Sequence, residues 1–239
     1  MRKFLLLIVF LGICISCNFN ISYYEEHSPE FIEINLNDFG LENFNYTDDS
    51  LLNNYNTAAN LARKSENFVY SLYDELYLYN LVASKRMDYF AGRTWYSSLD
   101  TIILFATYES NYTVFCELFI NHGNENEKRI LWGNYDINKK LAKFVIYDQI
   151  DTFKLEANFS EDFYYLSLKS LSIPFYLKTE YTDFYDYNFN FGGSDAEVFM
   201  FDDGSGKIKY YDAFIDTLWH CWDENHRDTE CGKIQAISY

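Results

Sequence analysis

Apolar residues recur every three or four positions in the first part of the chain and every second position in the rest. Leu51, Tyr55, Ala58, Ala62, Val69, Leu72, Leu76, Tyr79, Ala83, Met87 and Phe90 keep the helical step, and no Gly or Pro interrupts them before Gly92. Thr47, Asp48, Asp49 and Ser50 precede this run and are suited to cap a helix N-terminus. An unbroken helix of that length would reach on the order of 60 Å at 1.5 Å per residue, longer than the body it must pack against. The pattern therefore predicts one long helix or a helical hairpin, and either it breaks near Lys64–Asn67, where the apolar step lapses, or part of it projects.

From Trp95 the period is two. Segments 101–108, 112–120, 129–132, 141–148, 152–159, 163–170, 185–191, 198–201 and 207–211 read as strands bounded by Asn, Asp, Gly or Lys-rich turns. The cleanest sets Phe153, Leu155, Ala157 and Phe159 on one face against Thr152, Lys154, Glu156 and Asn158 on the other. Short connections imply an antiparallel meander and exclude a parallel α/β sheet. Beyond it, Tyr211, Phe214, Ile215, Leu218, Trp219 and Trp222 return to helical spacing and predict a short helix. The expected fold class is α+β: a long N-terminal helix, or helical hairpin, packed on an antiparallel meander sheet or partial barrel.

Composition narrows the function classes. The chain of 239 residues carries 23 Tyr and 22 Phe but only 2 Pro, which argues against disorder because aromatic rings supply large buried areas. Its formal net charge is −17. Without Arg2 and Lys3 there remain 17 basic against 36 acidic residues, a net −19. Such a surface repels phosphate backbones and anionic headgroups, so nucleic acid is excluded as a partner.

The first seventeen residues carry an address. Arg2 and Lys3 precede an apolar run from Phe4 to Ile15, too short to span a bilayer, and Ser16 and Cys17 close it. The ending Cys14-Ile15-Ser16-Cys17 resembles the lipidation box of bacterial lipoproteins, although Cys14 stands where that box prefers Leu. The resemblance covers this segment alone. It implies removal of residues 1–16, acylation of Cys17 and a lipid anchor in the cell envelope, facing the periplasm or the exterior. Cleavage after Ser16 without lipidation remains the alternative, and the protein would then be secreted. Residues 17–46, without sustained period and interrupted by Pro29, read as the lipidated cysteine and a tether. Residues 47–239 read as one domain: helical over 47–92, mainly β over 95–211, then the short helix and a cysteine loop over 211–239.

Little downstream has the form of a chemical motif. In an oxidising compartment Cys221 and Cys231 are expected to pair, leaving Cys116, on an alternating run, as a buried thiol. Asp202-Asp203-Gly204-Ser205-Gly206-Lys207 lacks the first glycine and the final Ser or Thr of a phosphate loop and reads as a hairpin turn. The polar stretch from His220 to Cys231 holds the metal candidates His220, Asp223 and His226, at a spacing that puts the two histidines on different faces. We therefore expect no metal and no cofactor. The favoured reading is a non-enzymatic envelope lipoprotein that binds a protein, glycan or other envelope component through an aromatic-rich surface. A carrier of a lipid or other apolar ligand inside a partial barrel is the second reading, and a metal-dependent or His/Asp hydrolase the third.

Overall fold

The computed structural model describes residues 27–149, 151–160, 163–191, 194–211 and 218–234. The signal segment and Cys17 lie outside them. Two helices, α1 (Asn53–Tyr70) and α2 (Tyr73–Ala83), precede fourteen strands. These are β1 (Asp88–Ala91), β2 (Thr94–Leu99), β3 (Ile102–Tyr108), β4 (Thr113–Ile120), β5 (Lys128–Asp136), β6 (Leu141–Tyr147) and β7 (Thr152–Ser160). They continue as β8 (Phe163–Ser170), β9 (Phe175–Tyr181), β10 (Tyr185–Phe191), β11 (Ser194–Met200), β12 (Gly206–Tyr211), β13 (Trp219–Trp222) and β14 (Asp228–Thr229). Each strand pairs antiparallel with the one before it, so the sheet is a single open meander with β1 and β14 at its two edges.

The α+β class and the antiparallel meander hold, but the long N-terminal helix does not. The chain breaks at Ser71–Leu72 and not near Lys64–Asn67. Ser65 is buried yet satisfied, its hydroxyl donating to the Leu61 carbonyl at 3.0 Å, so the polar lapse does not interrupt α1. Ser71 instead turns its hydroxyl to the Phe68 carbonyl at 2.8 Å, and Leu72 is pulled into the core with no exposed area. Nor does the helix run to Gly92. It stops at Ala83, where Ser84 donates to the Asn80 and Leu81 carbonyls. Residues 88–91 form the first strand, and Gly92, at φ +60, makes the turn into β2. The start is as expected: the Asp49 carboxylate accepts from Leu51 N at 2.9 Å and caps the 3-10 turn that leads into α1.

One face of the sheet is sealed. A row of paired residues crosses ten strands from β2 to β11: Trp95, Ala106, Cys116, Gly133, Phe144, Leu155, Leu168, Leu177, Phe189 and Ala196. All but Gly133 are buried. Gly133 cannot be replaced cheaply, because a Cβ there would stand 2.1 Å from the Lys143 carbonyl oxygen. The helices lie across this face from one end of the sheet to the other. In α1, Tyr55 meets Trp222 of β13 edge-on at 5.7 Å, and Phe68 stacks on Phe175 of β9 at 4.4 Å. In α2, Tyr79 packs on Phe144 of β6 at 5.3 Å, and Ser97 of β2 donates to the Val82 carbonyl at 2.8 Å.

Residues 28–44, assigned from sequence to the tether, close the same face as a strap. Ile34, Phe39, Leu41 and Phe44 are buried. Asn80 of α2 holds the Ile34 backbone from both sides, accepting from its N–H at 3.1 Å and donating to its carbonyl at 2.6 Å. Tyr187 donates to the Gly40 carbonyl at 2.9 Å, and Thr179 to that of Phe39 at 3.2 Å. The segment has no periodicity because its partners are scattered across the sheet, yet the Ile34 N–H and the Ile34, Phe39 and Gly40 carbonyls each find one.

At the C-terminal end the expected short helix is replaced, over its described part, by β13. Trp219–Trp222 pairs with Gly206–Lys209. Trp222 is fully buried and its indole N–H donates to the Gly204 carbonyl at 2.9 Å. Aromatic residues at helical spacing also fit a strand, and here an unpaired edge of β12 was available to them. Residues 212–217 lie outside the described part.

Candidate binding surface

The residues between those of the buried row point to the opposite, outer face, and the contacts of both helices and of the strap go to the inner one. The outer face is mixed in chemistry. On β5, Arg129 lies over the Trp132 ring at 4.4 Å and donates to Glu117 at 2.6 Å. Lys143 pairs with Glu156 at 2.9 Å and Lys178 with Glu180 at 2.6 Å. Near the C-terminal edge Lys207 lies between the rings of Phe199 (5.1 Å) and Trp219 (4.8 Å). Desolvation there pushes its ammonium below the usual lysine range. Cations over ring faces gain from the ring quadrupole while their heads remain in water. A sheet face carrying such pairs offers stacking and charge recognition without a deep pocket.

A carboxylate on this face is held abnormally. Burial pushes Asp186 up to about 6, with Glu197 and Glu180 adding repulsion and Lys178 and the Asn188 amide opposing it. Asp186 is paired in register with Glu180 on one side and Phe199 on the other. Desolvation, with two neighbours of like charge added to it, is why one lysine does not restore an ordinary value.

The sequence candidates do not converge on one site, although Asp223 and His226 share a turn in which His226 N donates to the Asp223 carbonyl at 2.8 Å. Cys221 and Cys231 form a disulfide, with Cα atoms 5.2 Å apart, tying β13 to the last 3-10 turn. Cys116 is a buried free thiol on the inner row, pushed well up by desolvation, so it is a packing residue and a poor nucleophile. His220 is exposed on β13. Asp223 spends one oxygen on the turn, accepting from Asn225 N at 2.9 Å and Arg227 N at 3.0 Å. His226, at φ +60, stacks on Tyr55 of α1 with ring centres 3.8 Å apart. Among the described residues no group of three His, Cys, Asp or Glu side chains is placed to hold a metal ion. The 202–206 segment is the hairpin turn expected of it, with Asp203 accepting from both the N–H and the hydroxyl of Ser205.

Two hollows are notable. The larger, about 1,020 Å³, lies between residues 28–33 and the last turns of α2, with Phe31, Leu81, Met87 and Trp95 beside Glu30, Glu33, Lys85 and Arg86. Its charges are mixed and do not converge on a point. The smaller, about 370 Å³, lies on the outer face among β6 to β9. Among the described residues no helix is long and apolar enough to cross a membrane. No protein-family model matches the chain, and neither the curated proteins nor the solved structures contain a significant match.

Sequence reasoning found alternation but not which outer residues become neighbours. The missed strand β9 shows the cost. Its alternation of Phe175, Leu177 and Thr179 against Tyr176, Lys178 and Glu180 was readable, with Pro174 as its start signal.

Proposed function

We propose that this protein is an exported lipoprotein of the cell envelope, anchored through acyl chains on Cys17, that acts without catalysis as a binding module. The observation that carries the binding half is the contrast between the faces of its sheet. The inner face is closed by α1, α2 and the strap, while the outer face presents cations over aromatic rings. A module that binds by surface needs a rigid platform, and a long pairing ladder backed by a continuous core supplies one. A carrier would need room on the inner face, where the residues from Trp95 to Ala196 are packed, so the filled interior favours the module over the carrier. The use of the His226 ring in stacking on Tyr55, and of an Asp223 oxygen in holding the turn, favours it over a hydrolase. The anchoring half rests on the basic start, the apolar run and the box ending in Cys17.

Two measurements test this reading. Cys17→Ser should move the protein from the membrane fraction to the soluble fraction, and detergent-dependent fractionation of that variant would sink the anchor. Residues 18–239 should co-sediment with washed envelope material from the host, and Trp132→Ala combined with Trp219→Ala should abolish this while circular dichroism shows the fold retained. Co-sedimentation that survives both substitutions would assign binding elsewhere.

A further inference from the structure

Across the outer face the strand register aligns Trp132, Val145, Lys154, Lys169, Tyr176 and Asn190 in one continuous row over β5 to β10. At its centre Lys154 and Lys169 are directly opposed on neighbouring strands, and both are exposed. Like charges in direct cross-strand contact destabilise a sheet. The nearby lysines are neutralised, Lys143 by Glu156 and Lys178 by Glu180. Among the described residues no carboxylate lies within ion-pair distance of Lys154 or Lys169. In a chain with 36 acidic residues, two adjacent unneutralised lysines depart from its general charge balance. They line the hollow of about 370 Å³ together with Val145, Tyr176 and the Lys143–Glu156 ion pair, which leaves the charge of Glu156 already neutralised.

We propose that this row is a binding track for a short oligosaccharide bearing a carboxylate, the acid seated between Lys154 and Lys169 and the neighbouring sugar ring laid on Tyr176. The inference rests on the binding-module reading and names its ligand class. Successive strands set side chains about 4.8 Å apart, so the row offers an apolar step at Val145, two cations and the Tyr176 ring in sequence. A pyranose ring has an apolar C–H face that covers an aromatic ring, and its hydroxyls reach amides such as that of Asn190. The charge argument selects among partners. Lysine is depleted at the centre of protein interfaces, where it would have to be desolvated. A nucleic acid or an anionic bilayer presents dense negative charge that the net −19 repels. One isolated carboxylate on a mostly neutral ligand meets the two lysines within a screening length of about 8–10 Å and escapes most of that repulsion.

The test is titration of residues 18–239 with sialyllactose and with a glucuronate-branched xylooligosaccharide, monitored by calorimetry and by tryptophan fluorescence. Lactose and the unbranched xylooligosaccharide serve as neutral counterparts. At least one acidic ligand should bind roughly tenfold or more tightly than its neutral counterpart, with affinity falling as salt is raised. Lys154→Gln with Lys169→Gln should remove that preference, and Tyr176→Ala should weaken acidic and neutral ligands alike. Absence of binding by both acidic ligands overturns the proposal, as does a preference that survives the double lysine variant. Binding to phosphatidylglycerol vesicles that depends on the same lysines, without glycan binding, overturns it in favour of a lipid headgroup. Loss of glycan binding with envelope co-sedimentation intact fails this inference alone, and loss of both fails the module reading too.

Discussion

The two faces of the sheet are made by the same strands, one residue out of phase, yet they obey different rules. On the inner face Leu104, Ala106, Val114, Cys116, Leu118 and Leu131 have no exposed area, and polar atoms such as the Ser97 and Thr179 hydroxyls each reach a carbonyl. On the outer face Phe105, Phe119, Trp132 and Tyr176 are half-buried among Lys, Arg, Glu and Asn. Burial of large apolar side chains stabilises by about 1.5–3 kcal/mol each, so the inner face holds the fold. Exposed ion pairs contribute about 0–1 kcal/mol, so the outer face is free to vary for recognition. An aromatic count does not separate the two, because rings populate both.

Truncation breaks or sharpens this contrast most strongly. Phe144→Ala or Trp222→Ala should cost about 3–5 kcal/mol in denaturant unfolding, since both leave cavities in a closed core. Trp132→Ala on the outer face should cost under about 1 kcal/mol. Equal losses at Phe144 and Trp132 would show that the outer face is also structural.

Next in size is the disulfide. It closes a loop with a sequence separation of 10, and in the chain-entropy account its reduction should cost about 2–3 kcal/mol. Melting with and without reductant measures this, and mass after alkylation of the native protein should show Cys116 unmodified, because the thiol is buried.

Asp186 gives a smaller, pH-dependent effect. Its carboxyl is pushed up to about 6 in the fold, against about 3.9 in an unfolded chain. The folded state therefore binds the extra proton between these values, so stability is full below about pH 4 and falls as pH rises through about 6. Asp186→Asn should raise stability by about 1 kcal/mol at pH 7.5, reduced from the full linkage value because the side chain is partly solvated, and leave it unchanged at pH 3.5. An equal gain at both pH values would mean the charge is not the cause.

The smallest effect concerns the opposed lysines. Lys154→Gln with Lys169→Gln should change stability by less than about 0.5 kcal/mol, with the sign toward stabilisation as the repulsion is removed. Marked destabilisation would mean the pair is structural.

Much of the fold was legible from particular residues. Phe153, Leu155 and Ala157 are inward as their alternation requires, the 202–206 segment turns as a hairpin, and Cys221 meets Cys231. The misreadings share a cause. Met87 and Phe90 extended a helical rhythm by coincidence of spacing, although Phe90 ends 61% exposed on β1. Trp219 and Trp222 did the same at the other end. In each case short-range spacing was compatible with both structures, and pairing to an available strand edge decided. The strap was illegible because Ile34, Phe39 and Gly40 are held by partners 46, 140 and 147 positions away.

The sequence by itself determined what is local: the period of two and hence antiparallel strands, the capped start of α1, the turn chemistry and the acidic charge. It also carries the only statement about export and anchoring, in residues 1–17. Tertiary structure decided where the helices stop, that residues 28–44 seal the inner face, and that Lys154 stands opposite Lys169. Those are facts of register and pairing, in which residues far apart in sequence become neighbours, and alternation along one strand says nothing about which residue it faces on the next.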